Sequence, residues 1–97
     1  MSDERTHALW EGKYQAGHRE RYPWDVVVSF LFRHAPSRPR ADVHVLEVGF
    51  GTANNLWCAA REGFVVSGVE HSATAVEIAR ARFADERLVG DLRCGDF

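Results

Sequence analysis

The stretch that decides the fold runs from residue 43 to residue 52 and reads Val43-His44-Val45-Leu46-Glu47-Val48-Gly49-Phe50-Gly51-Thr52. Its first six residues form a short run rich in β-branched side chains, which predicts a strand. The run lacks strict alternation of apolar and polar residues, and this favours a strand covered on both faces, as in a parallel sheet. The two glycines that follow permit a tight strand-to-helix turn and the close approach of a ligand to the backbone.

Helices and strands alternate after this turn. Residues 53–62 have helical character, and residues 64–69 form a second strand that ends at Glu70. Ser72 is a typical N-cap of a further helix, and residues 88–94 form a weaker third strand. The predicted order is β-α-β-α-β, one mononucleotide-binding half of a doubly wound parallel sheet. The predicted fold class is therefore α/β, with an incomplete Rossmann-like sheet.

The front of the chain predicts helices. Residues 1–42 are expected to form a helical preface and a linker, and residues 43–97 form the partial Rossmann-like domain. A first helix is predicted over residues 6–16. A second begins near Pro23, which suits a first helical turn, and a proline-bearing connector follows over residues 35–42. Three consecutive valines in the second helix favour a strand, but the apolar residues there share one helical face, so we prefer the helix.

Composition and charge exclude several classes of protein. The 97 residues permit one small domain, and 45% hydrophobic residues with a net charge of −2 argue against disorder. The sequence has no basic stripe, which disfavours nucleic acid as a partner. The longest apolar stretch, residues 26–32, is much shorter than the roughly 20 residues that span a bilayer, so no membrane partner is predicted. The first residues lack a signal-peptide pattern, and the cytoplasm is the expected location.

The spacing of cysteines and histidines predicts no metal site. Cys58 and Cys94 are isolated, and the five histidines form no pair at ligand spacing. Two reduced thiols are typical of a cytosolic protein.

Two glutamates give the glycine turn its chemical character. Glu70 lies nineteen positions after Gly51, where a carboxylate can accept hydrogen bonds from a ribose diol. Glu47 lies two positions before Gly49, where it would repel a pyrophosphate and attract an ammonium or a sulfonium. A dinucleotide fingerprint also needs a third glycine where this chain has Asn54. The pattern therefore favours S-adenosylmethionine over NAD.

The sequence resembles the class I S-adenosylmethionine-dependent methyltransferases. The resemblance covers roughly residues 43–97 and rests on Val45-Leu46-Glu47-Val48-Gly49-Phe50-Gly51-Thr52, on Gly68-Val69-Glu70-His71-Ser72 and on Gly95-Asp96-Phe97. It implies that S-adenosylmethionine is the cofactor.

The resemblance also implies roles for the residues around the turn. Glu47 would lie near the amino group of the methionine moiety, and the backbone of Gly49 and Gly51 would line the methionine and the ribose. Glu70 would bind the ribose hydroxyls. Many members of the family have a third glycine at the position of Ala53, where a small residue still fits.

Three further residues are implied on the adenine side of the cofactor. Asp96 would accept from the adenine amino group, and the backbone of Phe97 would meet the edge of the ring. His71, which follows the ribose-binding glutamate, would stack on the adenine.

Aromatic residues in the helices are predicted mainly to pack. Trp10, Trp24 and Trp57 are interpreted as packing residues. Tyr14 and Tyr22 are interpreted as core or surface aromatics, with a cofactor lid or an acceptor contact as the alternative.

The predicted function is S-adenosylmethionine-dependent methyl transfer to an unidentified acceptor, with this chain supplying the cofactor-binding half of an enzyme. No residue stands out as a general base. Two alternatives remain open: a truncated, non-catalytic cofactor-binding fragment, and a Rossmann domain that binds NAD(P) or FAD. A purely structural α/β module would leave the spacing of the glycines and the acids to coincidence.

The resemblance has a consequence for association. The strand order of the family is 3-2-1-4-5-7-6, so the first strand is central, and without a fourth strand residues 43–48 would present an unpaired apolar edge. Such edges pair readily with other chains. We therefore predict self-association through this edge.

Overall fold

The structure is a computed structural model, and it describes residues 4–17 and 22–96. The elements are α1 (Glu4–Gln15), α2 (Asp25–His34), a short 3₁₀ turn (Arg40–Asp42), β1 (His44–Val48), α3 (Asn54–Arg61), β2 (Val65–Glu70), α4 (Ala73–Asp85) and β3 (Asp91–Cys94). The predicted β-α-β-α-β order after a helical front part is confirmed.

The three strands form one parallel sheet in the order β1-β2-β3. His44 pairs with Val65 at the start of β1, and Glu70 pairs with Cys94 at the end of β2. Within the described ranges β1 pairs only with β2, so its outer edge has no strand partner there. This arrangement matches the 3-2-1 part of the predicted strand order.

The hydrophobic core lies between this sheet and the helices α3 and α4. Its largest members on the helices are Leu56, Val76 and Phe83, and the sheet contributes Val66 and Leu92. Burying one such side chain stabilises the fold by about 1.5–3 kcal/mol, so a core this small depends on each of them. Ser72 caps α4 as predicted, because its hydroxyl accepts from the amide of Ala75 at 3.1 Å.

The prediction that both faces of β1 are covered is wrong for the described chain. Leu46 and Val48 are 67% and 55% exposed, and Val65 on β2 is also exposed. Both crossovers step in the same direction across the sheet, and since parallel crossovers share one handedness, they place both helices on one face. The described residues leave the opposite face of the sheet exposed at Leu46, Val48 and Val65.

Gly68 lets the turn after β1 pack closely against β2. A Cβ added at Gly68 would lie 2.6 Å from Cδ2 of Phe50 and 2.7 Å from the carbonyl oxygen of Glu47. The buried ring of Phe50 therefore lies directly over this glycine and fixes the path of the chain between the two glycines of the turn.

The front of the chain differs in detail from the prediction. The helix predicted for the valine-rich segment is confirmed as α2, but Pro23 precedes it instead of forming its first turn. Trp24 is the N-cap, in an extended conformation with φ −71° and ψ 135°. Its amide donates to the side chain of Asn55 at 2.9 Å, so a contact with α3 sets where α2 begins.

Candidate functional site

The turn after β1 has the left-handed backbone that its glycines permit. Gly49 has φ +73° and Gly51 has φ +60°, and the amide of Gly49 donates to the carbonyl of Val69 at 2.8 Å. Ala53, the N-cap of α3, is also left-handed, with φ 66° and ψ 34°. A residue with a Cβ costs roughly 1–2 kcal/mol in this region, so a glycine at position 53 would remove this cost.

A cavity of about 270 Å³ lies at this turn, beside the carboxyl ends of β1 and β2. Ligands of open α/β sheets bind at these ends of the strands. The lining residues are Trp10, Tyr14, Trp24, Glu47, Gly49, Phe50, Gly51, Thr52, Asn54, Asn55, Glu70 and His71. Five of the seven predicted site residues are thus brought together here.

Glu70 is buried and joins three parts of the site. Its Oε1 accepts from the amide of Gly51 at 2.8 Å, and its Oε2 accepts from the amide of Ser72 at 2.9 Å. These bonds tie the end of β2 to the glycine turn and to the start of α4. A carboxylate offers about four acceptor positions, so Glu70 can still accept from two hydroxyl groups.

Glu47 is linked to the front of the chain through α3. Its Oε2 accepts from Nδ2 of Asn55 at 3.0 Å, and Oδ1 of the same asparagine accepts from the amide of Trp24. The neighbouring Asn54 donates to the carbonyl of Tyr22 at 2.7 Å. Two buried asparagines therefore hold the segment 22–24 against the first turn of α3.

Helix α1 covers the cavity from the other side. Tyr14 is buried, and its hydroxyl lies 2.9 Å from where a Cβ at Gly51 would be. Glu11 accepts from the hydroxyl of Ser72, and from the amide and the hydroxyl of Thr74 at 3.2 and 2.8 Å. The hydrogen bond from Ser72 is the main reason that the pKa of Glu11 is lowered from its ordinary value. These contacts seat α1 on the start of α4.

The predicted adenine side is only partly described. His71 lines the cavity, where its ring contacts that of His7 with centroids 4.4 Å apart, and its Nδ1 lies 3.7 Å from Glu70. Asp96 is exposed after β3 and does not line the cavity. Phe97 lies outside the described residues.

The sequence interpretation missed several residues of the site. Trp10 and Trp24 are predicted mainly to pack, but both line the cavity, and Trp24 is 57% exposed. From the sequence, Asn54 is interpreted only as a residue in place of a glycine, Thr52 belongs to the motif without a role of its own, and Asn55 has no predicted role. The sequence signal for these residues is the pair Asn54-Asn55 directly after the turn. Two adjacent polar side chains there begin a helix that packs against the sheet.

Comparisons with known proteins find structural neighbours only. No protein-family model matches the chain, and no curated protein matches it. A structure from work on the conversion of a disulfide bond into a thioacetal group during echinomycin biosynthesis matches 98% of this chain and 40% of its own, with 23% identity and a TM-score of 0.74.

Two further neighbours are methyltransferases solved with a ligand. The SAM-dependent methyltransferase from Thiobacillus denitrificans, in complex with S-adenosyl-L-homocysteine, matches 86% of this chain with 24% identity and a TM-score of 0.64. The SAM-dependent methyltransferase from Geobacter sulfurreducens, also in complex with S-adenosyl-L-homocysteine, matches 91% of this chain with 21% identity and a TM-score of 0.61. The chain spans 34% and 36% of their lengths. The chain therefore has the α/β Rossmann-like fold of the class I methyltransferases, over part of their length.

The described residues contain no candidate metal cluster and no candidate membrane-spanning helix. In the ranges 4–17 and 22–96, no three or more histidine, cysteine, aspartate or glutamate side chains are grouped to hold a metal ion. None of the described helices is long and apolar enough to cross a bilayer.

Proposed function

We propose that this chain binds S-adenosylmethionine in the cavity beside β1 and β2 and takes part in the transfer of its methyl group to an acceptor. The observation that carries the proposal is the glycine turn with two carboxylates, Glu47 and Glu70, in one cavity wall. The fold shared with methyltransferases solved with S-adenosylhomocysteine supports it.

The charge of the cavity favours a cationic ligand. Within the described part of the chain, two glutamates line it and no lysine or arginine does. S-adenosylmethionine carries an ammonium and a sulfonium, which carboxylates attract, whereas the pyrophosphate of NAD(P) or FAD would be repelled. Asn54 also stands where the dinucleotide-binding fingerprint needs its third glycine. Its side chain donates a hydrogen bond to the carbonyl of Tyr22, which argues against a dinucleotide.

The proposed contacts follow from the placement of each residue. Glu70 would accept from the two ribose hydroxyls with its remaining acceptor positions, and Glu47 would face the ammonium group. The left-handed backbone of Gly49 and Gly51 would let the ligand lie against the turn. These roles use side chains and amides that already line one cavity.

Three further residues are proposed for the adenine side of the cofactor. His71 would stack on the adenine, and Asp96 and Phe97 would meet its edge. His71 lines the cavity, and the strand that Asp96 follows is paired with the strand that ends at Glu70.

The chemistry is methyl transfer by displacement. When bound, the cofactor would supply a methyl carbon activated by its positively charged sulfur. An electron pair of the acceptor would form the new bond to this carbon, and S-adenosylhomocysteine would leave with the electron pair of the broken bond. The part of this chain is to bind and orient the reacting groups.

Cys58 and Cys94 are free thiols, which fits the cytoplasm as the place of this reaction.

Calorimetric titration with S-adenosylmethionine, S-adenosylhomocysteine and NADH tests the proposal. We expect the first two to bind and NADH not to bind, and binding of NADH alone would overturn it. Glu70→Gln should lower the affinity for S-adenosylhomocysteine at least tenfold, because the glutamine amide replaces one acceptor oxygen with a donor. Glu77→Gln, at an exposed glutamate of α4, is the matched control and should leave the affinity unchanged.

A second candidate function is cofactor binding without turnover by this chain alone. The observation favouring it is that the chain spans only 34–40% of the lengths of the three structural neighbours reported above. Release of S-adenosylhomocysteine would be measured with amine, hydroxyl, thiol and carboxylate acceptors. Tight binding of S-adenosylmethionine with no release for any acceptor would favour the second candidate.

A further inference from the structure

We propose that Asn55 is a positioning residue that holds Glu47 in place for the ammonium group of the cofactor. The inference rests on the proposed function, because it concerns the same cavity. Its role would be exerted through Glu47 and through the segment 22–24.

The orientation of the Asn55 amide is fixed by its partners. The backbone amide of Trp24 can only donate, so the atom that faces it at 2.9 Å must be the oxygen Oδ1. The nitrogen Nδ2 then faces Oε2 of Glu47 at 3.0 Å and can only donate. Because Asn55 is buried, neither bond is readily replaced by water.

This hydrogen bond restrains the carboxylate of Glu47. Nδ2 of Asn55 donates to Oε2 of Glu47 at 3.0 Å, so it gives one carboxylate oxygen a fixed partner and limits the rotamers of the side chain. Asn55 therefore contributes to the position of the group that is proposed to attract the ammonium end of the ligand.

The same side chain connects Glu47 to the segment 22–24. Asn54 donates to the carbonyl of Tyr22, whereas Asn55 accepts from the amide of Trp24 and also donates to Glu47. The pair offers a matched comparison: losing either asparagine weakens the attachment of the segment 22–24, and losing Asn55 also removes its hydrogen bond to Glu47.

Two ligands separate these effects. S-adenosylhomocysteine carries the ammonium and carboxylate groups, whereas 5′-methylthioadenosine has the same adenosine and thioether without them. For Asn55→Leu we expect the affinity for S-adenosylhomocysteine to fall roughly tenfold or more relative to that for 5′-methylthioadenosine. For Asn54→Leu we expect the ratio of the two affinities to stay as in the unchanged chain.

A double-mutant cycle identifies Glu47 as the group through which Asn55 acts. In the Glu47→Gln background, Asn55→Leu should have no further effect on the affinity ratio, because the carboxylate that it positions is gone. Thermal unfolding of each variant checks that it is folded. If Asn55→Leu does not fold, Asn55→Ala, which keeps a good helix former in α3, takes its place in the same measurements.

Each outcome decides between the two proposals. The inference is overturned if Asn55→Leu lowers the affinities for both ligands equally, or if Asn54→Leu changes the ratio of the two affinities as much as Asn55→Leu does. Asn55 then has only a structural role, and the proposed function stands. If the unchanged chain binds neither ligand, the proposed function and this inference are overturned together.

Discussion

Thr52 is a buried residue whose hydroxyl group forms no hydrogen bond with the described residues. It is 3% exposed, and among the described residues its Oγ has no hydrogen-bond partner. A buried polar group without a partner costs about 1–3 kcal/mol of desolvation. We therefore expect Thr52→Val, which keeps the shape and removes the hydroxyl, to raise the free energy of unfolding by about 1 kcal/mol.

Urea denaturation of the ligand-free chain measures this change. Thr52→Ser keeps the hydroxyl and removes the methyl group, so it should be less stable than Thr52→Val. A destabilising valine would show that the hydroxyl has a partner in solution.

At the scale of elements, Gly68 sets the distance between β2 and the turn after β1. An alanine at this position would meet the ring of Phe50 and the carbonyl oxygen of Glu47 well inside contact distance. The backbone oxygen cannot move without shifting β1, so we expect Gly68→Ala to lower the free energy of unfolding by about 2 kcal/mol or more. Gly12, an exposed glycine of α1 with open space around it, is the control: Gly12→Ala should stabilise the chain slightly.

The docking of α1 on α4 should depend on pH through Glu11. Its pKa in the folded chain is below the ordinary value of 4.5, mainly because Ser72 donates to it. The ionised carboxylate therefore contributes its full stability above the unfolded pKa, and this contribution is lost as the pH falls through the lower, folded value.

The variant Glu11→Gln lacks this titration. Between about pH 5 and pH 3, we expect the unchanged chain to lose more stability than Glu11→Gln does. Denaturation curves at several pH values compare the two proteins. Parallel losses would show that Glu11 does not hold α1 in solution.

The elements were predictable to the extent that they depend on local sequence. The β-branched run before Gly49 and the cap at Ser72 identify β1 and α4 without any tertiary information. The bond between Asn55 and Trp24 joins positions 31 apart, and the bonds of Glu11 to Thr74 join positions 63 apart. Contacts of this kind arise only once the sheet has brought α1 and α3 to the same cavity, so no periodicity or spacing indicates them.

At the scale of the whole molecule, the open sheet predicts self-association. The outer edge of β1 has no strand partner in the described ranges, and Leu46 and Val48 expose apolar surface beside it. Unpaired edges of this kind recruit strands from other chains. We expect sedimentation of the purified chain to show dimers or larger species that grow with concentration.

A charge on the open face should reduce this association. Leu46→Lys places an ammonium beside the exposed edge, and Val89→Lys is the control, because Val89 is 88% exposed in the loop before β3 and not on the open face. The first variant should be shifted toward monomer and the second should not. If the chain without substitutions stays monomeric at all concentrations, the prediction is contradicted.

The aromatic wall of the cavity also gives the chain an internal optical reporter. Trp10 and Trp24 line the cavity, whereas Trp57 lies outside it and its ring contacts the guanidinium groups of Arg61 and Arg82. A ligand that enters would change the surroundings of the first two indoles and leave the third unchanged. Intrinsic fluorescence would then follow occupancy without a label, and replacing Trp57 with phenylalanine would remove the constant background from the signal.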